Sequence, residues 1–132
     1  MTDRLLILVL IFGGIAAGGL LMRTYNRRRR DAIIESMRLE PSAAGQARIL
    51  TFYGPSCDAC DRQKSVLADL ERAYPGRFSS EFRDATVDYD YAQQFGLTVV
   101  PTTVVIGSSG SIAAINSGFT SRTALEAQLD AA

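Results

Sequence analysis

Cys57 and Cys60 are the only cysteines in the chain, and two residues separate them where a β-prone run, Ile49-Leu50-Thr51-Phe52-Tyr53, gives way through Gly54-Pro55 to a segment of helical periodicity. Two sulfurs at this spacing on the first turn of a helix can close a small ring. The positive end of the helix stabilises a thiolate on the leading one. The pattern points to reversible dithiol chemistry.

Apolar residues are spread unevenly over the 132 positions, so less than the full length builds the one domain the chain has room for. Leu5 to Met22 reads LLILVLIFGGIAAGGLLM, 18 residues without a charge. As a helix this run spans roughly 27 Å at about 1.5 Å per residue, enough to cross a bilayer with little to spare. A secretory signal peptide competes for the segment, since Ala16, Ala17 and Gly18 are small residues of the kind signal peptidase cleaves beside. The flanks favour an uncleaved anchor. Met1-Thr2-Asp3-Arg4 is nearly balanced, whereas Arg23, Arg27, Arg28, Arg29 and Arg30 follow the apolar run. The same asymmetry predicts a single-pass protein of the cell membrane with its domain facing the cytoplasm. Gly14-Ile15-Ala16-Ala17-Gly18 is a GxxxG pattern that lets two such helices approach, a weak signal for a homodimer beside an unpaired span.

Formal charge is zero overall, but residues 1–40 hold seven Arg against four acids, and residues 41–132 hold seven Lys plus Arg against ten acids. A mildly acidic domain disfavours nucleic acid as a partner, and the arginine run reads as a topological stop that also meets anionic lipid headgroups. With no histidine in the chain, a Cys-His hydrolase or a His-based metal site is excluded. Two thiolates alone leave a tetrahedral zinc site half-filled, so a metal would require a second chain; no metal and no cofactor is expected.

The chain divides into an anchor with its flank (1–26), a basic juxtamembrane helix and linker (27–47), and a domain (48–132). Pro41-Ser42-Ala43-Ala44-Gly45 breaks the juxtamembrane helix. Within the domain the expected order is β-α-β-α-β-β-α: a strand over 49–53, a helix over 57–74 stopped by Pro75-Gly76, a strand over 82–87, a short helix through Phe95-Gly96, a strand over 99–106, its paired return over 112–115, and a last helix capped by Thr120 or Ser121.

Phe52-Tyr53-Gly54-Pro55-Ser56-Cys57-Asp58-Ala59-Cys60, then Val87-Asp88, then Phe95-Gly96-Leu97-Thr98-Val99-Val100-Pro101-Thr102-Thr103, then Gly110, together resemble thioredoxin over residues 48–130. The resemblance implies an α/β fold, a minimal thioredoxin fold with a mixed four-stranded sheet behind an N-terminal transmembrane helix. The family's extra N-terminal strand and helix are missing from the pattern. Membrane-anchored thioredoxin-like proteins of bacteria share this arrangement. By the same resemblance Cys57 and Cys60 are catalytic and form the redox disulfide, and Pro101 is cis and lies against it. Val100, Pro101 and Thr102 then bind an extended substrate peptide, with an edge-strand proline as the plainer reading. Tyr53 is a candidate wall of the substrate groove, against an ordinary role in core packing.

Three departures carry chemistry. The family commonly has Trp before the first cysteine and Gly-Pro between the two; this chain has Ser56 and Asp58-Ala59. Asp58 and Asp61 are expected to oppose ionisation of Cys57 and so favour a reducing couple, unless they only complement the helix N-terminus as solvated first-turn residues. The family's buried Asp six residues before the first cysteine is replaced by Thr51, whose hydroxyl is expected to bond to backbone. The function expected is a membrane-tethered protein-disulfide reductase, with a disulfide-containing protein as substrate and an upstream thiol reductant as donor. An extracytoplasmic exchange protein of cytochrome c maturation or oxidative folding is the alternative, and a non-catalytic adaptor is the reading from another class.

Overall fold

The computed structural model of the protein describes residues 1–132, with the elements α1 (Thr2–Ser36), β1 (Ala47–Tyr53), α2 (Asp58–Ala73), β2 (Phe78–Asp84), α3 (Tyr89–Gln94), β3 (Thr102–Ile106), β4 (Ile112–Ser117) and α4 (Arg122–Ala131). Residues 1–32 and 33–132 are two separate compact units. In the first, α1 buries no residue, and Leu5 through Met22 expose their apolar side chains. Its mean hydropathy over the best 18 residues is 2.6, so it is long and apolar enough to cross a membrane.

In the second unit the strands line up in the order β2-β1-β3-β4. β1 runs parallel to β2 and antiparallel to β3, and β3 is antiparallel to β4, giving a mixed four-stranded sheet. Alternation along β1 sorts its side chains onto two faces. Leu50 and Phe52 join Phe95, Ala92, Val104, Ile106 and Ile115 on one side. Ile49 joins Leu67 and Leu70 of α2 and Leu125 and Leu129 of α4 on the other. Both faces of β1 are therefore covered, which is why that strand reads as an unbroken apolar run. Each fully buried Leu or Phe contributes about 1.5–3 kcal/mol.

β2 begins four residues before its expected start. It pairs with β1 alone, and its sequence FSSEFRD lacks strong alternation because only Phe78 is buried. It ends where the Asp84 carboxylate accepts hydrogen bonds from Thr86 N (2.8 Å) and Thr86 Oγ1 (2.6 Å), closing a turn. β3 starts at Thr102 rather than Val99, because residues 99–101 bend and the Thr102 hydroxyl donates to the Val99 carbonyl at 2.6 Å.

The stretch read from sequence as juxtamembrane helix and linker has a second role that the pattern did not disclose. The 33–132 unit starts well before residue 48, with Ile33, Ile34, Met37 and Leu39 packed on the Phe52–Phe95 cluster. Leu39 N donates to Gly110 O at 2.9 Å, and Arg38 bridges to Ser111. Gly110 has φ +88°, and a Cβ there would collide with the Leu39 carbonyl, so only glycine fits this crossing.

Candidate dithiol site

The turn Gly54-Pro55-Ser56 delivers the chain from the end of β1 to the start of α2, with Ser56 at φ +51°, a left-handed conformation uncommon for a residue with a side chain. Cys57 is the N-cap of α2. Its Sγ accepts the Cys60 amide hydrogen at 3.1 Å, so the sulfur itself meets one of the helix's free amides. Cys57 and Cys60 are joined in a disulfide with Cα atoms 5.2 Å apart. Cys57 is half-buried, whereas Cys60, 3% exposed, is sealed against the sheet. The two sulfurs are thus inequivalent: one reachable and amide-bonded, one internal.

The Val100–Pro101 peptide is cis, as the resemblance implied, and the Val100 carbonyl oxygen lies 3.9 Å from Cys57 Sγ. Closeness of the two loops depends on Gly54, where a Cβ would meet Val100 Cγ2 at 3.2 Å. Pro101 O accepts from Gly118 N at 2.8 Å, tying the bend to the loop before α4. Thr102 is buried, and its hydroxyl is spent on the Val99 carbonyl rather than offered outward.

The side chain that organises the site and that sequence reasoning missed is Gln63. It is fully buried on α2 in the stripe Cys60, Gln63, Leu67, Leu70. Its Nε2 donates to Thr120 O at 3.1 Å, and its Oε1 accepts from Thr120 N at 2.7 Å. A polar residue three positions after Cys60 on the buried face was the available signal. This amide pair and the Gly118–Pro101 bond hold the dithiol helix and the proline bend to one shared loop.

Thr51 departs from expectation. It is fully buried, but its hydroxyl has no hydrogen-bond partner, so the predicted bond to backbone is absent. Its cross-strand neighbour Thr103 is engaged instead by Asn116 Nδ2 at 3.2 Å, and Asn116 in turn exchanges two bonds with Gln128. Tyr53 is half-buried and lies with its ring under the Lys64 ammonium at 4.4 Å. Asp58 and Asp61 sit exposed in the first turn of α2. At that exposure a carboxylate changes the energy of a neighbouring charge by about 1 kcal/mol or less. The amide bond and helix terminus act directly on Cys57 Sγ, so it remains the sulfur better able to carry negative charge.

Searching curated proteins gives no match. Among solved structures the chain is similar to mitochondrial thioredoxin 3 of Saccharomyces cerevisiae in its oxidized form, at 24% identity and TM-score 0.58, covering 80% of this chain and 89% of that one. It is similar to thioredoxin-2 of a malaria parasite, a component of its protein secretion machinery, at 22% identity and TM-score 0.61, covering 66% and 84%. A thioredoxin-like protein of Clostridium perfringens matches at 20% identity and TM-score 0.60, covering 70% and 78%. These likenesses establish the thioredoxin-like fold. The pattern of one family, described as "TraF: F plasmid transfer operon protein", matches residues 18–129. With that span matched, and with the CxxC pair seated on a thioredoxin-like sheet, the chain belongs to the thioredoxin-like TraF family.

Proposed function

We propose that this protein is a membrane-tethered thiol-disulfide oxidoreductase that reduces protein disulfides through the Cys57–Cys60 dithiol. The observation that carries the reading is the position of Cys57 Sγ, half-buried at the cap of α2, bonded by the Cys60 amide and 3.9 Å from the Val100 carbonyl. In the reduced protein the Cys57 thiolate attacks one sulfur of a substrate disulfide. A mixed disulfide forms, and the departing substrate thiolate takes up a proton. Cys60 then loses its proton and attacks Cys57 Sγ, releasing the second substrate thiol and leaving the 57–60 disulfide. Two electrons have passed to the substrate, and an upstream dithiol donor must return two. Val100 and Pro101 supply the backbone edge on which an extended peptide lies, and Thr102 acts by holding the bend. The acids at 58 and 61 support a reducing couple, since they weaken the thiolate and leave the disulfide relatively more stable.

Tethering rests on α1, and the arginines after its apolar run support a cytoplasmic domain. A C-terminal alkaline phosphatase fusion tests this, because an active fusion places the domain on the other side of the membrane. The chemistry is tested by insulin reduction with the full chain in detergent micelles beside Cys57→Ser. Turnover is expected only in the parent protein, and equal turnover in both removes Cys57 from the mechanism.

A further inference from the structure

A groove of about 360 Å³ opens between the turn before the dithiol, the end of β2 and α3. Pro55, Ala85, Tyr89, Leu97, Val99 and Val100 are among its walls. It ends at the loop whose Val100 carbonyl touches Cys57 Sγ, so anything seated in it is next to the reactive sulfur. Its size is at the low end for small-molecule sites, right for one large side chain rather than for a free cofactor. Tyr89 (60% exposed) and Val99 (46%) leave their apolar surface open along it, and Val87 (78%) stands two residues before Tyr89. Water-exposed apolar surface of this kind, beside a reactive atom, gains by being covered.

Charge around the groove is one-sided. Asp84, Asp88 and Asp90 stand at the β2–α3 end, and Asp58 is beside Cys57. Arg83 is the only cation among those residues, and it is shared between Glu81 (2.8 Å) and Asp88 (3.5 Å). Asp58, Asp84 and Asp90 form no ion pair, and two bonds from Thr86 favour the charged form of Asp84. The cations of α2 are engaged elsewhere, Lys64 over the rings of Tyr53 and Phe82, Arg62 over Phe119 at 5.1 Å, and Arg72 in an ion pair with Asp69. The helix that carries the dithiol therefore keeps its own cations on rings or on an aspartate, while the unpaired Asp84 and Asp90 are chain neighbours of Ala85 and Tyr89 in the groove wall and Asp58 follows Cys57.

Resting on the exchange reaction above, we infer that the preferred substrate is an extended cysteine-bearing segment whose target cysteine is flanked by a bulky apolar side chain and a Lys or Arg. The apolar side chain fills the groove between Tyr89 and Val99, and the cation meets Asp58, Asp84 and Asp90. The backbone of Val100 aligns the segment so that its sulfur faces Cys57.

The test uses the reduced full chain in detergent micelles with three disulfides: dimers of a short peptide with Phe and Lys around the cysteine, dimers of one with Ala and Glu, and hydroxyethyl disulfide. Each rate is divided by that of the same disulfide with dithiothreitol, which removes intrinsic reactivity. The Phe/Lys peptide is expected to react at least fivefold faster than the Ala/Glu peptide. Asp90→Lys and Tyr89→Ala should each lower that preference while leaving the rate with hydroxyethyl disulfide unchanged. A ratio below fivefold, or the reverse order, with hydroxyethyl disulfide still reduced, overturns this inference and leaves the exchange reaction standing. A chain inert to all three disulfides overturns both.

Discussion

Gln63→Leu removes the two hydrogen bonds that join the dithiol helix to the backbone of the loop before α4, and its cost can be worked from them. Leucine has a similar volume, so little cavity is left, but the Thr120 N–H and C=O lose their partners at a residue only 8% exposed. An unsatisfied buried backbone group costs about 1–3 kcal/mol, so the pair costs about 2–6 kcal/mol. The added apolar burial offsets about 1–2 kcal/mol of that. The expected net loss is about 1–4 kcal/mol, a large share of the margin of a domain this small. Urea unfolding of the detergent-solubilised protein, followed by tyrosine fluorescence in the absence of any tryptophan, measures it with the disulfide intact. Insulin reduction should fall as well, because the same loop carries Gly118, whose amide holds Pro101 O. A Gln63→Leu protein within about 0.5 kcal/mol of the parent would refute the argument that this amide pair secures the site.

Gly54→Ala places a methyl 3.2 Å from Val100 Cγ2 and should move the proline bend away from Cys57. Insulin reduction is expected to drop several-fold while urea stability changes by about 1 kcal/mol, and unchanged turnover would show that this close approach does not matter. Thr51→Val deletes a buried hydroxyl with no partner, so it should stabilise the protein by about 1 kcal/mol. A loss of that size in urea unfolding would mean the hydroxyl is bonded after all. Asp84 has its carboxyl held below the usual aspartate value, chiefly by the Thr86 hydroxyl and then by the Thr86 amide. A depressed folded value means that this contribution is present above the unfolded value and is lost as pH falls through the folded one. Asp84→Asn should therefore flatten the acid limb of stability below about pH 4, and an identical limb in both proteins would contradict the assignment.

How much of this was legible in the sequence depends on what each residue answers to. Elements set by local period and punctuation were readable: α2 between Cys57 and Pro75, the return of β4 after Gly110, and the helix capped by Ser121. β1 was readable because burial on both faces leaves no polar alternation to confuse it. β2 was misplaced because an edge strand answers to one neighbour, and its serines and charges carry little pattern. Residues 33–46 read as helix and linker because Pro41 and Gly45 are local breakers, whereas their packing depends on distant Gly110 and Phe95. The cysteines and the proline bend were visible from their motif. Gln63 was not, since its partner is the backbone of a residue 57 positions away. The groove was hidden for the same reason, as it is assembled from three separate stretches of chain.

Because Cys57 Sγ is itself the capping atom of α2, each chemical state of that sulfur is also a different lid on the helix's first turn. A thiolate is a far stronger acceptor than a disulfide sulfur, so the amide hydrogen of Cys60 should be best protected from exchange with solvent deuterium in the reduced protein. That single amide becomes a built-in reporter: its exchange rate follows the electron count of the pair without touching either sulfur.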